Sequence, residues 1–247
     1  MKTLLVLAGG FGTRLRSIVS DVPKPLAPVA EKPFIVHLID HWLDQGVRDF
    51  IFLLHYEAHQ IETVLGQVAA ENKALNARFR IIIEEAPLGT GGSILNAIYE
   101  FGIDDDFLVA NADTWLESGV QDISEKTPCV LAAISVQNSE RYGSLELSGG
   151  IITNFQEKSK SKSKSKSKSQ SNEETYVSSG LYHLTPSIFS GFVRGSNFSL
   201  EEDVFPALVS IGQLSVVKVS GNFIDIGVPE DYLKFCKWME LGKKDEL

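Results

Sequence analysis

A glycine-rich segment follows the first apolar run of the chain, and a lysine between two prolines comes soon after it. Residues 7–15 read LAGGFGTRL and residues 23–29 read PKPLAPV. Glycines let backbone N–H groups approach phosphates closely, while Arg14 adds a planar fork of donors and Lys24 adds a point charge. Because these residues fall so close together, the pattern predicts a site for phosphate groups rather than a tight turn with solvated side chains.

Two other phosphate motifs do not fit this segment. The dinucleotide fingerprint G-x-G-x-x-G, read from Gly10, has Leu15 where the third glycine belongs. The Walker A motif G-x-x-x-x-G-K-[ST] fails from both Gly9 and Gly10, because no Gly-Lys pair follows at the required spacing. The sequence therefore disfavours an NAD-binding oxidoreductase.

Two separated aspartates are candidates for holding a metal ion. Asp113 follows the apolar run FLVA, near the carboxyl end of a predicted strand, where parallel sheets bind ligands. A carboxylate there can hold Mg²⁺ against substrate phosphates, and a helix or turn cap is the alternative. Asp225 lies between Ile224 and Ile226, so strand alternation can turn it outward to water. If it points inward, it needs a cation or hydrogen bonds.

Alternating strands and helices must position these residues in the first half of the chain. The pattern predicts strands at residues 2–8, 49–54, 79–83 and 107–110, and helices at 34–43, 58–68 and 91–99. This alternation is typical of an α/β fold in which helices cover both faces of a parallel sheet.

The second half of the chain is richer in strands. We predict strands at residues 130–136, 144–147, 151–155, 181–184 and 215–219, and helices at 200–210 and 230–241. The prediction is a single domain over residues 1–247, with a nucleotide-binding half at about 1–125 and an acceptor half at about 126–247.

Charge is unevenly distributed along the chain. The net charge is −9, although six lysines fall within residues 158–168. An acidic body argues against nucleic-acid binding, which needs clustered Lys and Arg. Residues 158–170 are of low complexity and are predicted to be a disordered loop, since alternating Lys and Ser cannot bury apolar surface. A mobile basic flap over an anionic substrate is the alternative.

Neither a membrane nor the secretory pathway is indicated. No apolar run approaches the roughly 20 residues of a membrane span, and residues 4–8 are too short for the apolar region of a signal peptide. The final four residues, KDEL, spell an ER-retention address, which we treat as coincidence because nothing directs entry into that pathway. Cys129 and Cys236 are predicted to be reduced thiols. We expect a cytoplasmic protein with no membrane partner.

LAGGFGTRL together with PKPLAPV resembles the signature of the sugar-1-phosphate nucleotidyltransferases. The stretch GTRLRSIVSDVPKPLAPVAEKPF, with PLGTGG at residues 87–92, looks most like the heptose 1-phosphate guanylyltransferase branch. The resemblance runs from the first strand to Asp231. It implies a Rossmann-like (GT-A-like) fold with a mixed, mostly parallel sheet and helices on both faces. It also implies a Mg²⁺-dependent enzyme that joins a sugar 1-phosphate to a nucleoside triphosphate and releases pyrophosphate.

The resemblance assigns roles around the nucleotide. Arg14 and Lys24 would be the catalytic residues. Asp113 and Asp225 would hold one Mg²⁺ together, the second within FIDIGVPEDY, which resembles the family's Asp-Ile-Gly-x-Pro-Glu-Asp-Tyr segment. The family usually has Gly-Asp where this chain has Ala112-Asp113. The residues expected to contact the nucleotide are Leu7, Ala8, Gly9, Gly10, Gly12, Thr13, Glu84, Gly89 and Thr90.

Glu84 precedes PLGTGG, where the resemblance implies that the base is read. Guanine presents two donors, N1–H and N2–H₂, and a carboxylate can accept both of them. Thymine and uracil present one donor and would suit Gln better. We therefore expect GTP as the nucleotide partner, with an exposed Glu at a strand end as the alternative interpretation of Glu84.

A second group of residues is expected at the sugar 1-phosphate. Residues 155–158, FQEK, resemble the family's Glu-Lys pair, in which the carboxylate suits sugar hydroxyls and the ammonium suits the phosphate; a solvated pair is the alternative. Residues 141–143, RYG, resemble a turn near the same sugar, and residues 178–182, SSGLY, resemble a segment that usually begins with Asn. The expected sugar-binding residues are Asn111, Tyr142, Gly143, Glu157, Lys158, Ser178 and Gly180.

The implied reaction is in-line attack of a sugar phosphate oxygen on the α-phosphorus of the triphosphate. The nucleophile is already an anion, so positioning and charge stabilisation suffice. We expect a heptose 1-phosphate as the second substrate, for surface polysaccharide synthesis. The alternatives are a transferase acting on mannose or glucose 1-phosphate with GTP, dTTP or UTP, and a non-catalytic homologue that binds a nucleotide-sugar. Association of identical chains is left open.

Overall fold

The computed structural model describes residues 2–71, 76–136, 142, 144–156 and 175–242. Within these ranges the strands are β1 (Leu4–Leu7), β2 (Pro28–Val29), β3 (Lys32–Pro33), β4 (Asp49–Leu54), β5 (Arg78–Ile83), β6 (Phe107–Asn111), β7 (Thr114–Leu116), β8 (Val130–Val136), β9 (Ser144–Ser148), β10 (Ile151–Gln156), β11 (Thr175–Leu184), β12 (Ser215–Val219) and β13 (Phe223–Asp225). The α-helices are α1 (Phe34–Asp44), α2 (Ala58–Glu71), α3 (Gly89–Phe101), α4 (Val120–Ser124), α5 (Phe205–Ser210) and α6 (Pro229–Glu240). The predicted loop at residues 158–170 lies outside the described residues.

One mixed sheet runs through both halves of the described chain, in the order β5-β4-β1-β6-β11-β8-β12-β10-β9. β5, β4, β1 and β6 are parallel, and β11 is antiparallel to both β6 and β8. Following the pairings across the described sheet, seven strands run in one direction, and β10 and β11 run against them. The Rossmann-like mixed, mostly parallel sheet is therefore confirmed.

Strand β1 shows how this sheet is covered on both faces. Leu4 and Val6 pack on one side with α1, α2, α4 and α6, while Leu5 packs on the other side with α3 and α5. All three side chains are fully buried, and burying each aliphatic side chain contributes about 1.5–3 kcal/mol relative to leaving it exposed. Parallel strands need apolar residues on both faces for this reason. The predicted placement of helices on both faces is confirmed.

Several elements differ from the sequence prediction. β11 begins at Thr175 rather than at residue 181, and its pairing with β8 is interrupted between Ser178 and Tyr182. The predicted helix at 200–210 begins with a π-helical turn, Leu200–Val204, before α5. The hairpin of β2 and β3 was missed because its turn carries Ala30 and Glu31 at positive φ, where the usual hairpin signal is Gly, Asn or Asp.

None of the helices among the described residues is both long enough and apolar enough to cross a membrane.

Candidate active site

A cavity of about 530 Å³ lies beyond the carboxyl ends of the first four parallel strands. Leu7 closes β1, Leu53 lies near the end of β4, Glu84 follows β5 and Asn111 closes β6, and all four line it. Parallel sheets bind ligands at this edge. The cavity brings together the following residues that the sequence analysis singled out: Leu7, Ala8, Gly9, Gly10, Gly12, Thr13, Arg14, Lys24, Glu84, Gly89, Thr90, Asn111 and Asp113.

The glycine-rich loop needs glycine most clearly at position 12. Gly12 has a φ of +59°, and a Cβ atom built on it would lie 2.9 Å from the Cβ of Lys24. An L-residue would be strained in this conformation and would also push Lys24 away. Gly10 has open space where its side chain would be, so its backbone faces the cavity without obstruction. Arg14 lines the cavity and is exposed.

Lys24 is held between the two aspartates. Its Nζ lies 2.6 Å from Oδ2 of Asp113 and 3.2 Å from Oδ1 of Asp225. The lysine side chain is 10% exposed, and each aspartate side chain is about a third exposed. A single ammonium therefore contacts two carboxylates, of which Asp113 lines the cavity.

Burial and charge act in opposite directions on these three groups. Burial alone would lower the pKa of Lys24, but the charges of Asp113 and Asp225 outweigh it, and the pKa is raised. Burial would raise the pKa of Asp113, but the adjacent ammonium of Lys24 lowers it. The pKa of Asp225 is raised by burial and by the negative charge of Asp113. The two carboxylates thus repel each other beside a single ammonium, and a further cation would offset that repulsion.

Asp225 points inward because β13 pairs with β7, which answers the question left open by the sequence. Asp225 lies opposite Thr114 in this pairing, and the amide of Ile226 donates to the carbonyl of Asp113 at 3.0 Å. The amide of Gly227 donates to Oδ1 of Asp225 at 2.7 Å. A Cβ at Gly227 would lie 2.8 Å both from that oxygen and from Nζ of Lys24. The turn at Gly227 therefore needs glycine, because any side chain there would collide with Asp225 and Lys24.

The donor set of Asp113 and Asp225 fits a hard divalent cation. Carboxylate oxygens are ligands that Mg²⁺ accepts, and Mg²⁺ commonly takes one or two carboxylates and fills its other positions with phosphates and water. Among the described residues, no group of three or more His, Cys, Asp and Glu side chains could hold a metal ion. The two aspartates would thus leave positions for substrate. Lys24 now occupies the space between them.

Glu84 is a buried carboxylate that also lines the cavity. It is 8% exposed, and its backbone amide donates to the carbonyl of Leu54 at 2.8 Å, which extends the pairing of β4 and β5. Its Oε2 accepts a hydrogen bond from the amide of Leu88 at 3.1 Å. The alternative of an exposed Glu at a strand end is wrong for Glu84. The side chain is fixed, and it faces the cavity.

Thr90 lines the cavity, but its hydroxyl is already engaged. Its Oγ1 donates to Oε2 of Glu201 at 2.6 Å and accepts from the amide of Leu200 at 2.8 Å. The single hydroxyl proton is therefore directed away from a ligand.

Of the residues predicted to bind the sugar phosphate, some do not line the cavity and others lie outside the described residues. Gly180, at a φ of +75°, lies so close to Asn111 that a Cβ atom would be 2.8 Å from its Nδ2. Tyr142 packs on Phe223 at 5.3 Å between ring centroids. The Oγ of Ser178 bonds the Tyr182 hydroxyl at 3.3 Å. Among the described cavity-lining residues, only Asn111 belongs to this predicted set. Gly143, Glu157 and Lys158 lie outside the described residues.

Sequence reasoning missed several residues that line the cavity. Phe11 is 49% exposed and packs edge-on against His55 at 5.8 Å. Nδ1 of His55 donates to the backbone carbonyl of Glu84 at 3.0 Å, so the ring is held beside Glu84. His55 directly follows β4, and its position at a strand's carboxyl end could have identified it. The other missed residues are Pro25, Leu53, Pro87, Ser93, Ala112 and Gly227.

A family model, curated sequences and solved structures were each found to be similar to this chain. The sequence model of the family described as Nucleotidyl transferase matches residues 3–242. D-glycero-alpha-D-manno-heptose 1-phosphate guanylyltransferase of Campylobacter jejuni is 30% identical over 233 residues, which cover 94% of this chain and 97% of that protein. Mannose-1-phosphate guanylyltransferase catalytic subunit beta of Xenopus tropicalis is 28% identical, over 96% of this chain and 64% of that protein. The crystal structure of HddC from Yersinia pseudotuberculosis complexed with GMP-PN is 32% identical, with a TM-score of 0.78 over 97% of this chain and 100% of that chain.

Proposed function

The chain belongs to the nucleotidyl transferase family, and from this premise we propose that it transfers the guanylyl group of GTP to a heptose 1-phosphate. One observation carries the proposal, namely a cavity lined by a glycine-rich loop, Lys24, Asp113 and the buried carboxylate of Glu84, with Asp225 in contact with Lys24. The relative of Campylobacter jejuni bears the name of this activity over nearly its whole length. We propose that the reaction takes place in the cytoplasm.

The reaction needs no side-chain nucleophile. An oxygen of the sugar phosphate attacks the α-phosphorus of GTP in line, and a P–O bond forms. The bond between the α-phosphorus and the bridging oxygen of the β-phosphate breaks, and pyrophosphate leaves with the electron pair. The exposed guanidinium of Arg14 and the ammonium of Lys24 would stabilise the charge that spreads over the phosphates. Amides of the glycine-rich loop would hold those phosphates in position.

A divalent metal ion is typical of this family, and we propose Mg²⁺ held by Asp113 and Asp225. When bound there, the ion would neutralise charge on the α-phosphate and on the leaving pyrophosphate. Lys24 contacts one oxygen of each carboxylate, so the second oxygen of each would be the nearer ligand for the ion. Asp113→Asn and Asp225→Asn should each remove nearly all turnover while the melting temperature shows that the fold survives. Full turnover in the presence of a chelator would contradict the metal assignment.

We propose that Glu84 reads guanine. Its Oε2 already accepts from Leu88, and its position at a strand end leaves Oε1 and the remaining lone pair of Oε2 for N1–H and N2–H₂ of the base. Uracil and thymine offer a single donor, and adenine turns the lone pair of N1 toward the carboxylate. A buried carboxylate left without donors is costly, so the wrong base is rejected.

The decisive assay is pyrophosphate release from GTP, ATP, dTTP and UTP, each paired with heptose, mannose and glucose 1-phosphates. We expect the highest kcat/KM for GTP with heptose 1-phosphate. Glu84→Gln should reduce the preference for GTP by roughly 10- to 100-fold, the scale of a two-bond contact to a base edge, while Glu85→Gln, at its exposed neighbour, should not. A wild-type preference for dTTP or UTP would overturn the guanine assignment, and a preference for mannose 1-phosphate would favour the activity named for the Xenopus relative.

A further inference from the structure

The first turn of α3 is attached to a segment of the acceptor half. The amides of Gly91 and Gly92 donate to the carbonyl of Phe198 at 3.0 and 3.2 Å, and the amide of Phe198 donates to the carbonyl of Leu88 at 3.0 Å. A Cβ at Gly89 would lie 2.4 Å from the Phe198 carbonyl oxygen. The glycines of this turn are therefore required by the approach of Phe198, and the amides of Gly91 and Gly92 are not available to a phosphate.

Glu201 closes this attachment with a charged acceptor. Its Oε2 accepts from Oγ1 of Thr90 at 2.6 Å and from Oγ of Ser199 at 2.8 Å. Hydrogen bonds to an ionised carboxylate are stronger than those between neutral groups. Because Leu200 donates its amide to the same Thr90 oxygen at 2.8 Å, the threonine hydroxyl is bonded both as donor and as acceptor to one short segment.

The segment that carries Glu201 is itself well fixed. Glu201 lies in the π-helical turn Leu200–Val204, and Oγ of Ser199 caps this turn by accepting from the amides of Glu201 and Glu202 at 3.1 and 3.2 Å. Leu200 and Val204 are buried in the same core cluster as α3. Single π-helical turns recur at functional sites. Glu201 is thus held in a fixed position where it bonds Thr90. Thr90 lines the cavity, whereas Glu201 does not.

We propose that Glu201 is a positioning residue for the nucleotide, acting through Thr90 on the first turn of α3. This turn lines the same cavity as the glycine-rich loop, and it follows directly on Leu88, whose amide donates to the carboxylate of Glu84 at 3.1 Å. Without the Thr90–Glu201 bond, the turn keeps its backbone bonds to Phe198 but loses its one charged acceptor, which loosens its position and that of the carboxylate assigned to the base. This proposal rests on the proposed function. It predicts that Glu201, a residue of the acceptor half, affects the affinity for the nucleotide.

The experiment measures the Kd of a fluorescent GTP analogue with Mg²⁺ and without sugar phosphate. Glu201→Ala and Thr90→Val should each weaken binding at least about tenfold, as expected for loss of a charge-assisted hydrogen bond. Glu201→Gln, which keeps an acceptor without the charge, should weaken binding less, and Thr90→Ser should regain most of the affinity lost in Thr90→Val. The matched control is Glu202→Gln, an exposed carboxylate on the same turn, which should bind as the wild type does.

Three results separate positioning from general damage to the fold. The loss of binding free energy in the double variant Thr90→Val/Glu201→Ala should be clearly smaller than the sum of the two single losses, because both single variants remove the Thr90–Glu201 bond. In turnover, KM for GTP should rise while kcat and KM for the sugar phosphate stay nearly constant. If Glu201→Ala does not fold, the comparison of Thr90→Val with Thr90→Ser decides the question.

Wild-type affinity in Glu201→Ala, or losses that add in the double variant, would overturn the proposal. If the wild type prefers another triphosphate, the guanine assignment fails, and the same variants tested with that triphosphate still decide the role of Glu201.

Discussion

Replacing Gly12 by Ala tests whether the glycine-rich loop and Lys24 are fitted to each other. An L-residue at the φ of +59° observed here costs about 1–2 kcal/mol. Since each kcal/mol shifts the melting temperature of a chain of this length by about 2–4 °C, Gly12→Ala should melt about 2–8 °C below the wild type. The added Cβ would also lie 2.9 Å from the Cβ of Lys24, whereas carbon atoms pack at about 3.5 Å or more, so Lys24 must move by about half an ångström or more.

That displacement of Lys24 should lower kcat substantially, although the loss of stability is small enough for the protein to stay folded. Misplacement of a positioned group by about 1 Å can cost on the order of 10²-fold in rate, so we expect kcat of Gly12→Ala to fall by roughly 10- to 100-fold. The assays are thermal unfolding followed by circular dichroism, and pyrophosphate release at saturating substrates. Gly12→Asn separates backbone strain from displacement of Lys24, because Asn tolerates positive φ and yet carries the same Cβ. It should therefore lose less stability than Gly12→Ala but a similar part of kcat.

Gly10→Ala is the matched control for stability. No atom lies within 4 Å of a Cβ at Gly10, so its melting temperature should stay within about 2 °C of the wild type, even if the methyl group raises KM for the nucleotide. An unchanged melting temperature in Gly12→Ala, or an equal fall in both alanine variants, would refute the reasoning.

Further predictions concern charge. Arg14→Ala and Lys24→Ala should each cost roughly 10²–10³ in rate, the scale of one lost partner for transition-state charge, and losses below tenfold in both would show that the loop serves structure alone. Millimolar Mg²⁺ should raise the melting temperature of Lys24→Met more than that of the wild type, because the cation replaces the ammonium between the two carboxylates; equal shifts would count against the metal site. Burial alone would raise the pKa of Asp49, but hydrogen bonds from Arg78 and the charge of Arg80 lower it. The stability that this carboxylate contributes is therefore present above its ordinary value of about 3.9 and is lost as pH falls through the lowered pKa. The difference in melting temperature between wild type and Asp49→Asn should be largest near neutral pH and should shrink in acid, whereas a difference independent of pH would contradict the assignment.

The parallel half of the fold could be predicted because each of its elements carries its own periodic signal. The strand at 49–54 and the apolar positions of α1 follow the predicted bounds closely. β7 and β13 have three residues each, too few to show a period, and so neither strand was predicted. Their pairing is what turns Asp225 inward, and the sequence could not decide its direction because the partner strand lies about a hundred residues away.

The residues of the candidate site likewise divide into those with a local sequence signal and those that depend on a distant partner. Gly12, Lys24 and Asp113 could be identified because their neighbours in sequence define their setting. Thr90 was expected to face the nucleotide, and its engagement by Glu201 depends on a contact between residues 111 positions apart. Local patterns carry no signal for such a contact, since side-chain hydrogen bonds between distant segments leave composition and periodicity unchanged.

Strand β11 determines how the molecule can admit its ligands. It is bonded to β6 beneath the cavity, where residues 181–184 pair with residues 107–110, and it continues into the pairing with β8. A hinge between the two halves would have to break this ladder and leave buried backbone groups without partners. We therefore expect ligand binding to move side chains and segments outside the sheet, while the sheet itself keeps its pairings. Binding should change side-chain rotamers and loop conformations and leave the distances between the strands as they are.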